Sequence, residues 1–198
     1  LAQMVRLVDD LLDVSRVSRG QLRLKRERVT LAAVIGAAVE TSRPLLGERG
    51  HDLAVALPDE PLLLDADATR LAQVFSNLLN NAARYTPNGG RIHIAAARES
   101  SQGGHRVDGG GDGSGAGADQ AVVRISDNGS GIPPHMLGRI FELFTQVDVS
   151  LERAQGGLGI GLTLVRRLVE MHGGSVEAKS DGLGKGSEFI VRLPLAAS

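Results

Sequence analysis

NLLNNAARYT (residues 77–86) places Asn77, Asn80 and Asn81, then Arg84 and Tyr85, at the end of an apolar helical stripe. Two glycine turns follow it along the chain, DNGSG at 127–131 and GGLGIG at 156–161. Glycines so spaced let backbone approach a base or a phosphate closely, while a carboxylate and amides supply the polar contacts. The order and types of the three elements predict an ATP site.

Working outward from that segment, Asp67 reads as the N-cap of a helix carrying Leu71, Val74, Phe75, Leu78 and Leu79. Asn77 and Asn81, four residues apart, then share one face with Arg84 and, nearly, Tyr85. A neutral amide oxygen suits Mg²⁺, a hard ion that keeps most of its waters and borrows oxygens from phosphates, so Asn81 is the candidate metal ligand. The other reading of Asn80 and Asn81 is that they end the apolar stripe at a solvated edge. Asp127 closes a strand and can accept a hydrogen bond from an adenine amine, with Gly129 and Gly131 letting the base pass close; DNG is also a common turn. Gly157, Gly159 and Gly161 lead into Leu162, Leu164, Val165, Leu168 and Val169, a helix whose free N–H groups could hold phosphates.

The chain has 198 residues, 42% of them hydrophobic, a formal net charge of −1 and no cysteine. That length and apolar content support one main α/β core with a small appendage. A balanced charge offers no field for nucleic acid, and the absent cysteines remove disulfides and thiolate metal sites. No apolar run is long enough to span a bilayer.

Leu1, Met4, Val5, Val8, Leu11 and Leu12 recur at helical steps, and no cap precedes them, so an amphipathic helix is expected to be under way at the first residue. Leu22 and Leu24 alternate with Arg23 and Lys25 as a short strand would, and Thr30 caps a helix to about Glu48 that Pro44 kinks or divides. Strands are expected at 51–57 and 62–64 about a Pro-Asp turn, then at 91–97 and 121–127. Between the latter pair, residues 100–120 are polar and glycine-rich and read as a disordered hairpin extension. A functional lid is the sharper alternative, but apolar anchors are lacking. A short helix near Pro134, a flexible stretch to about Gln155, a helix from about Gly159 to His172 and strands at 175–180 and 187–194 complete an α/β sandwich.

The asparagine segment, DNGSGI, FELF, RAQGGLGIGL and GKGSEF, in that order, resemble the boxes of the histidine-kinase ATP-binding domain, within the wider family of gyrase, Hsp90 and MutL ATPases. LVDDLLDVSR (7–16) resembles the second helix of the dimerisation and phosphoacceptor hairpin that precedes that domain. The resemblance implies a two-layer α/β sandwich of the Bergerat type, a mixed sheet covered on one face by helices, preceded by part of a helical hairpin. Residues 1–19 would be that truncated hairpin and 20–198 the ATP-binding domain, with an insertion at 100–120.

Carried over residue by residue, the resemblance implies that Asn81 holds Mg²⁺ with Asn77 beside it, and that Arg84 lies near the phosphates and Tyr85 lines the base. Asp127 would recognise adenine in a pocket shaped by Gly129, Gly131 and Ile132. Phe141 and Phe144 match the phenylalanine box beside a mobile lid, with core packing an equal reading of such a pair. Gly157, Leu158, Gly159, Ile160, Gly161 and Leu162 match the phosphate-proximal loop. Where some members carry a basic residue after the phenylalanines, this chain has Gln146. Arg153 is the nearest substitute, able to stabilise a transferring phosphoryl group or to stand as a solvated charge.

None of His51, His93, His105, His135 or His172 sits in the His-Glu or His-Asp context of a phosphoacceptor. The resemblance therefore implies an acceptor on an upstream helix, a response-regulator receiver domain and a homodimer of the longer protein as partners, and a cytoplasmic location, free or as part of a membrane-bound sensor. The chain alone is expected to bind ATP without autophosphorylating. An ATP-hydrolysing clamp and a non-catalytic nucleotide-binding module are the competing readings; the clamp class relies on an acidic residue where NLLNN has amides.

Overall fold

The computed structural model describes residues 11–13, 15, 17, 19–101, 117–145 and 159–196. In chain order, β1 (Glu27–Thr30), α1 (Leu31–Glu48), β2 (Asp52–Ala56) and β3 (Leu63–Ala66) come first. Then follow α2 (Ala68–Tyr85), β4 (Arg91–Ser101), β5 (Gly117–Asp127), a 3₁₀ turn (Pro134–Met136), α3 (Gly161–Met171), β6 (Ser175–Lys179) and β7 (Ser187–Pro194).

One sheet has the order β2-β4-β5-β7-β6, with β2 parallel to β4 and the other neighbours antiparallel. β1 and β3 form a separate antiparallel pair. Strand alternation sorts the main sheet into two faces. Ile92 and Ile94, then Ala121, Val123 and Ile125, then Phe189, Val191 and Leu193 join apolar residues of α1, α2 and α3 in one core. The opposite face carries Arg124 between Glu99 and Glu188, at 3.0 and 3.9 Å, and Arg192 on Glu177 at 2.9 Å. A mixed sheet with helices on one face and charge on the other is the expected two-layer α/β sandwich.

Local signals explain the helix starts. Thr30 Oγ1 accepts from the Ala33 N–H at 3.3 Å, and Asp67 Oδ1 accepts from the Arg70 N–H at 3.1 Å. Both caps satisfy donors that a helix leaves orphaned. α1 runs as a single helix across Pro44, because Ser42 and Leu46 on either side of it are buried and packing outweighs the lost backbone bond.

Three expectations change. Leu22 and Leu24 are half-buried between exposed neighbours, yet pairing begins only at Glu27 opposite Ala66. The partner strand stops where Asp67 turns into α2, and the Lys25 N–H donates to Asp67 Oδ2 at 2.9 Å instead. β2 and β3 do not pair with each other: β2 lies on β4 and β3 on β1. Pro58 and Pro61 between them cannot supply ladder donors. β4 and β5 reach further than expected, with Glu99 opposite Gln120, Ser101 opposite Gly117, and Arg98 on Asp119 at 2.6 Å. Residues 102–116 and 1–10 lie outside the described residues.

Helical residues at 11–13 precede the domain. Asp13 is buried there, with its carboxylate 2.5 Å from Arg70 Nη1 and 3.2 Å from Gln73 Nε2 on α2.

His172 ties the end of α3 to the start of α2. The residue is 3% exposed; Nδ1 donates to the Leu168 carbonyl at 2.7 Å, and Nε2 accepts from the Asp67 N–H at 3.1 Å. The second of these bonds needs the neutral ring, because a protonated Nε2 cannot accept. Burial pushes the pKa below the ordinary 6.5, the Leu168 bond opposes this, and nearby Arg26 lowers it further against Asp67 and Asp65. The unfolded chain therefore takes up this proton first on acidification. The contribution to stability is whole above the ordinary value and drains away as pH falls through the lowered folded value. Melting curves between about pH 7.5 and about pH 5.5 should show a steeper loss for the wild type than for His172→Gln; parallel slopes would remove His172 from the pH dependence.

Candidate functional site

α2 is amphipathic along its whole length. Leu71, Val74, Phe75, Leu78 and Leu79 are fully buried, while Arg70, Gln73, Asn77, Asn81 and Arg84 follow one another at three- and four-residue steps on another face. One end of this polar stripe holds Asp13. The other end reaches a cavity of about 470 Å³.

Of the residues singled out from the sequence, Asn81, Tyr85, Asp127, Gly131, Ile132 and Leu162 line that cavity together. They come from the end of α2, the loop after β5 and the first turn of α3. Asp127 is held on both oxygens: Oδ1 accepts from the Gly129 N–H at 2.8 Å and Oδ2 from Ser187 Oγ at 2.6 Å. A carboxylate so fixed keeps lone pairs for an amine donor in the cavity.

The loop leaves no room for larger residues at two positions. A Cβ on Gly129 would strike the Tyr85 carbonyl and stand 2.7 Å from Asp127 Oδ1. Gly131 has φ +70°, and a Cβ there would overlap the Gly182 carbonyl.

The opposite end of the site carries groups without internal partners. α3 has Ile160 at its N-cap, a residue with no side-chain cap hydrogen bond. Asn77 Nδ2 is buried with no hydrogen-bond partner among the described residues and lies 3.9 Å from where a Gly161 Cβ would stand. An amide donor and an uncapped helix N-terminus make a place for an anion. Asn81, a neutral amide at the cavity wall, fits the donor that a largely water- and phosphate-coordinated Mg²⁺ would take.

Phe141 and Phe144 separate. Phe141 is 8% exposed and meets the Phe189 ring edge-on, centroids 6.4 Å apart at 89°, so it supports from behind a ring that lines the cavity. Phe144 is 65% exposed with φ 61°, outside the lining, and its N–H donates to the Gly159 carbonyl at 3.2 Å. Ile160 is buried in the core and Arg84 is half-buried. Gln146, Arg153, Gly157 and Leu158 lie outside the described residues.

Ser130, Leu183, Gly184 and Ser187 also line the cavity and were not singled out from the sequence. Leu183 is 69% exposed, and an exposed leucine inside a glycine turn was a usable signal. Ser187 stood in GKGSEF, where nothing local distinguishes its hydroxyl from that of any strand-opening serine.

An open mixed sheet, a helical layer on one face and a cavity at the end of α2 define a nucleotide-binding α/β domain. Residues 66–197 match the family described as histidine kinase-, DNA gyrase B-, and HSP90-like ATPase, and the chain belongs to that family. Among curated relatives it is 34% identical over 195 residues to hybrid signal transduction histidine kinase D of Dictyostelium discoideum, covering 97% of this chain and 12% of that protein. It is 33% identical over 196 residues to sensor histidine kinase YclK of Bacillus subtilis, covering 98% of this chain and 37% of that one. The chain thus spans well under half the length of these relatives. Among solved structures, full-length ShkA in complex with AMPPNP superposes with a TM-score of 0.74 at 29% identity, over 98% of this chain and 36% of that one. The mycobacterial sensor histidine kinase MprB gives 0.66 at 25% identity, over 87% and 99%. The domain is of the ATP-binding catalytic type found in sensor histidine kinases.

Gly131→Ala should destabilise the fold by about 2 kcal/mol, from a strained φ and a steric conflict with backbone. Urea denaturation reads this directly, and an unchanged midpoint would contradict the contact with Gly182.

Proposed function

We propose that this chain serves a two-component sensor kinase by binding Mg²⁺-ATP and presenting the γ-phosphoryl group to a histidine on a helix of the dimerisation hairpin. The observation that carries the reading is the meeting of Asn81, Asp127 and the first turn of α3 around one cavity. Asp127 accepts the adenine amine, with Tyr85, Gly131 and Ile132 against the base. The N–H groups opening α3, with Gly159, Gly161 and Leu162, take the phosphates, and Asn77 adds its amide beside them. Arg84 and, from the segment outside the described residues, Gly157, Leu158 and Arg153 contribute at the phosphate end. Asn81 holds Mg²⁺, which would neutralise charge on the phosphate oxygens.

Phosphoryl transfer asks the protein mainly for position and electrostatics, and this arrangement of residues suits both. The clamp-type alternative needs a water-activating carboxylate in the asparagine segment, and NLLNN has none. His51 and His172 are poor acceptors: His51 Nε2 bonds to the Ala83 carbonyl while its Nδ1 is buried, and both ring nitrogens of His172 bond to backbone at Leu168 and Asp67. In the longer protein the partners would be the phosphoacceptor helix, a second protomer and a response-regulator receiver domain. No helix among the described residues is long and apolar enough to cross a membrane. We place the domain in the cytoplasm, alone or as part of a membrane-bound sensor.

Calorimetry of the chain with ATP tests the reading. Asp127→Asn should weaken binding about tenfold or more, because the amide presents a donor toward the base amine; undiminished affinity would remove Asp127 from this role. Asn81→Ala should abolish most of the gain in affinity that Mg²⁺ confers while sparing Mg²⁺-free binding, and equal losses in the two conditions would argue against metal ligation.

A further inference from the structure

The two loops that wall one end of the cavity are laced together. The Gly184 N–H donates to the Ser130 carbonyl at 2.7 Å and the Gly186 N–H to the Gly129 carbonyl at 3.1 Å. Ser187 Oγ donates to Asp127 Oδ2 at 2.6 Å. Backbone bonds of this kind cannot be tuned by a side chain, and Ser187 itself faces the cavity. One further side chain works from outside the lining.

Ser180 follows β6 and is half-buried. Its hydroxyl donates to the Gly186 carbonyl at 2.7 Å, accepts from the Ile132 N–H at 3.0 Å and accepts from the Gly182 N–H at 3.3 Å. A serine hydroxyl has one proton and two lone pairs, so its capacity is filled. The bond to Ile132 fixes the residue after Gly131 on the loop that begins at Asp127. The bond to Gly186 fixes the residue before Ser187, whose hydroxyl grips the Asp127 carboxylate.

We propose that Ser180 is a positioning residue for base selectivity, holding the 127–132 loop against the 182–186 turn so that the Asp127 carboxylate stands at one depth in the cavity. The inference rests on the ATP reading above and deepens it. A carboxylate accepts but does not donate, so it favours the amine of adenine over the carbonyl that guanine presents at the same ring position. That preference is only as sharp as the carboxylate is fixed, because a group free to swing away admits the wrong base through water. Removing the Ser180 hydroxyl strips partners from both loops at once. Phosphate-end contacts, made by α2 and α3, are left in place.

The test is calorimetry of the 198-residue chain with ATP and with GTP, for wild type, Ser180→Ala, Ser180→Thr and Ser180→Cys, beside urea denaturation of each. Ser180→Ala should lower ATP affinity about tenfold, the equivalent of one good hydrogen bond, and lower the ATP-to-GTP ratio by a similar factor. Ser180→Thr, which keeps the hydroxyl, should restore the ratio. Ser180→Cys, close in shape with weak hydrogen bonds, should fall between and gives the same readout if the alanine variant does not fold. A purely structural serine would shift the denaturation midpoint and leave the ratio where it was, and that result overturns the inference. Wild type that ignores ATP would overturn the functional reading along with it, whereas an unchanged ratio in the variants overturns the Ser180 role alone.

Discussion

The ligand side of the molecule depends on how α2 ends. A helix leaves its last four carbonyls without intrahelical partners, and buried carbonyls must find others. Here each is taken. The Ala82 carbonyl accepts from the Thr86 N–H at 3.0 Å, and that of Ala83 from His51 Nε2 at 2.9 Å. Arg49 Nη1 donates to the Arg84 carbonyl at 3.2 Å, and the Ser130 N–H donates to that of Tyr85 at 2.9 Å. The last of these bonds joins the helix carrying Asn81 to the loop carrying Asp127. Those from Arg49 and His51 tie it to the segment between α1 and β2. Where the cavity sits is thus decided by backbone satisfaction at one helix terminus.

The two ends of the cavity differ in kind. At the Asp127 end, polar groups are already spoken for: the carboxylate has two internal donors, and the facing loops exchange backbone hydrogen bonds. Such an end is rigid and recognises by shape and by the few lone pairs left over. At the α3 end, among the described residues, the helix has no side-chain cap and Asn77 Nδ2 has no partner. An unpaired buried donor costs on the order of 1–3 kcal/mol unless something outside the chain meets it. A bound anion recovers that cost, so the polar groups left open are those a charged ligand would use.

Sequence periodicity made the helices and most strands legible because those patterns are local. Thr30 and Asp67 announced their caps, and the apolar stripe of α2 made it certain which way Asn77 and Asn81 would face relative to the core. Pairing was less legible, since it is a property of two distant segments. Residues 51–57 and 62–64 look like hairpin partners until the prolines between them and the competing edges of β4 and β1 are placed. The Leu22 and Leu24 alternation does report burial, but a strand also needs a partner, and Asp67 removes it. At the site, residues with unusual chemistry were visible and residues with ordinary chemistry were not. Asp127 before two glycines stands out; Ser180 and Ser187 are hydroxyls in a glycine-rich stretch, and their roles exist only once two loops are folded together.

α2 and α3 both contribute to the cavity lining, through Asn81, Ala82 and Tyr85 on one and Leu162 on the other. At the start of α3, Asn77 Nδ2 lies 3.9 Å from where a Cβ on Gly161 would stand. At the far end, the buried His172 ring runs from the Leu168 carbonyl of α3 to the Asp67 N–H that opens α2. Between these points the helices share buried apolar residues, Leu78 and Leu79 on one and Leu164, Leu168 and Val169 on the other, all within the same core. A pair of helices tied by the His172 hydrogen bonds at one end and packed along the shared core resists sliding, because a shift must break a buried hydrogen bond as well as open a void. Asn81 on α2 and Leu162 in the first turn of α3 therefore line the cavity from two helices that a shared core holds together.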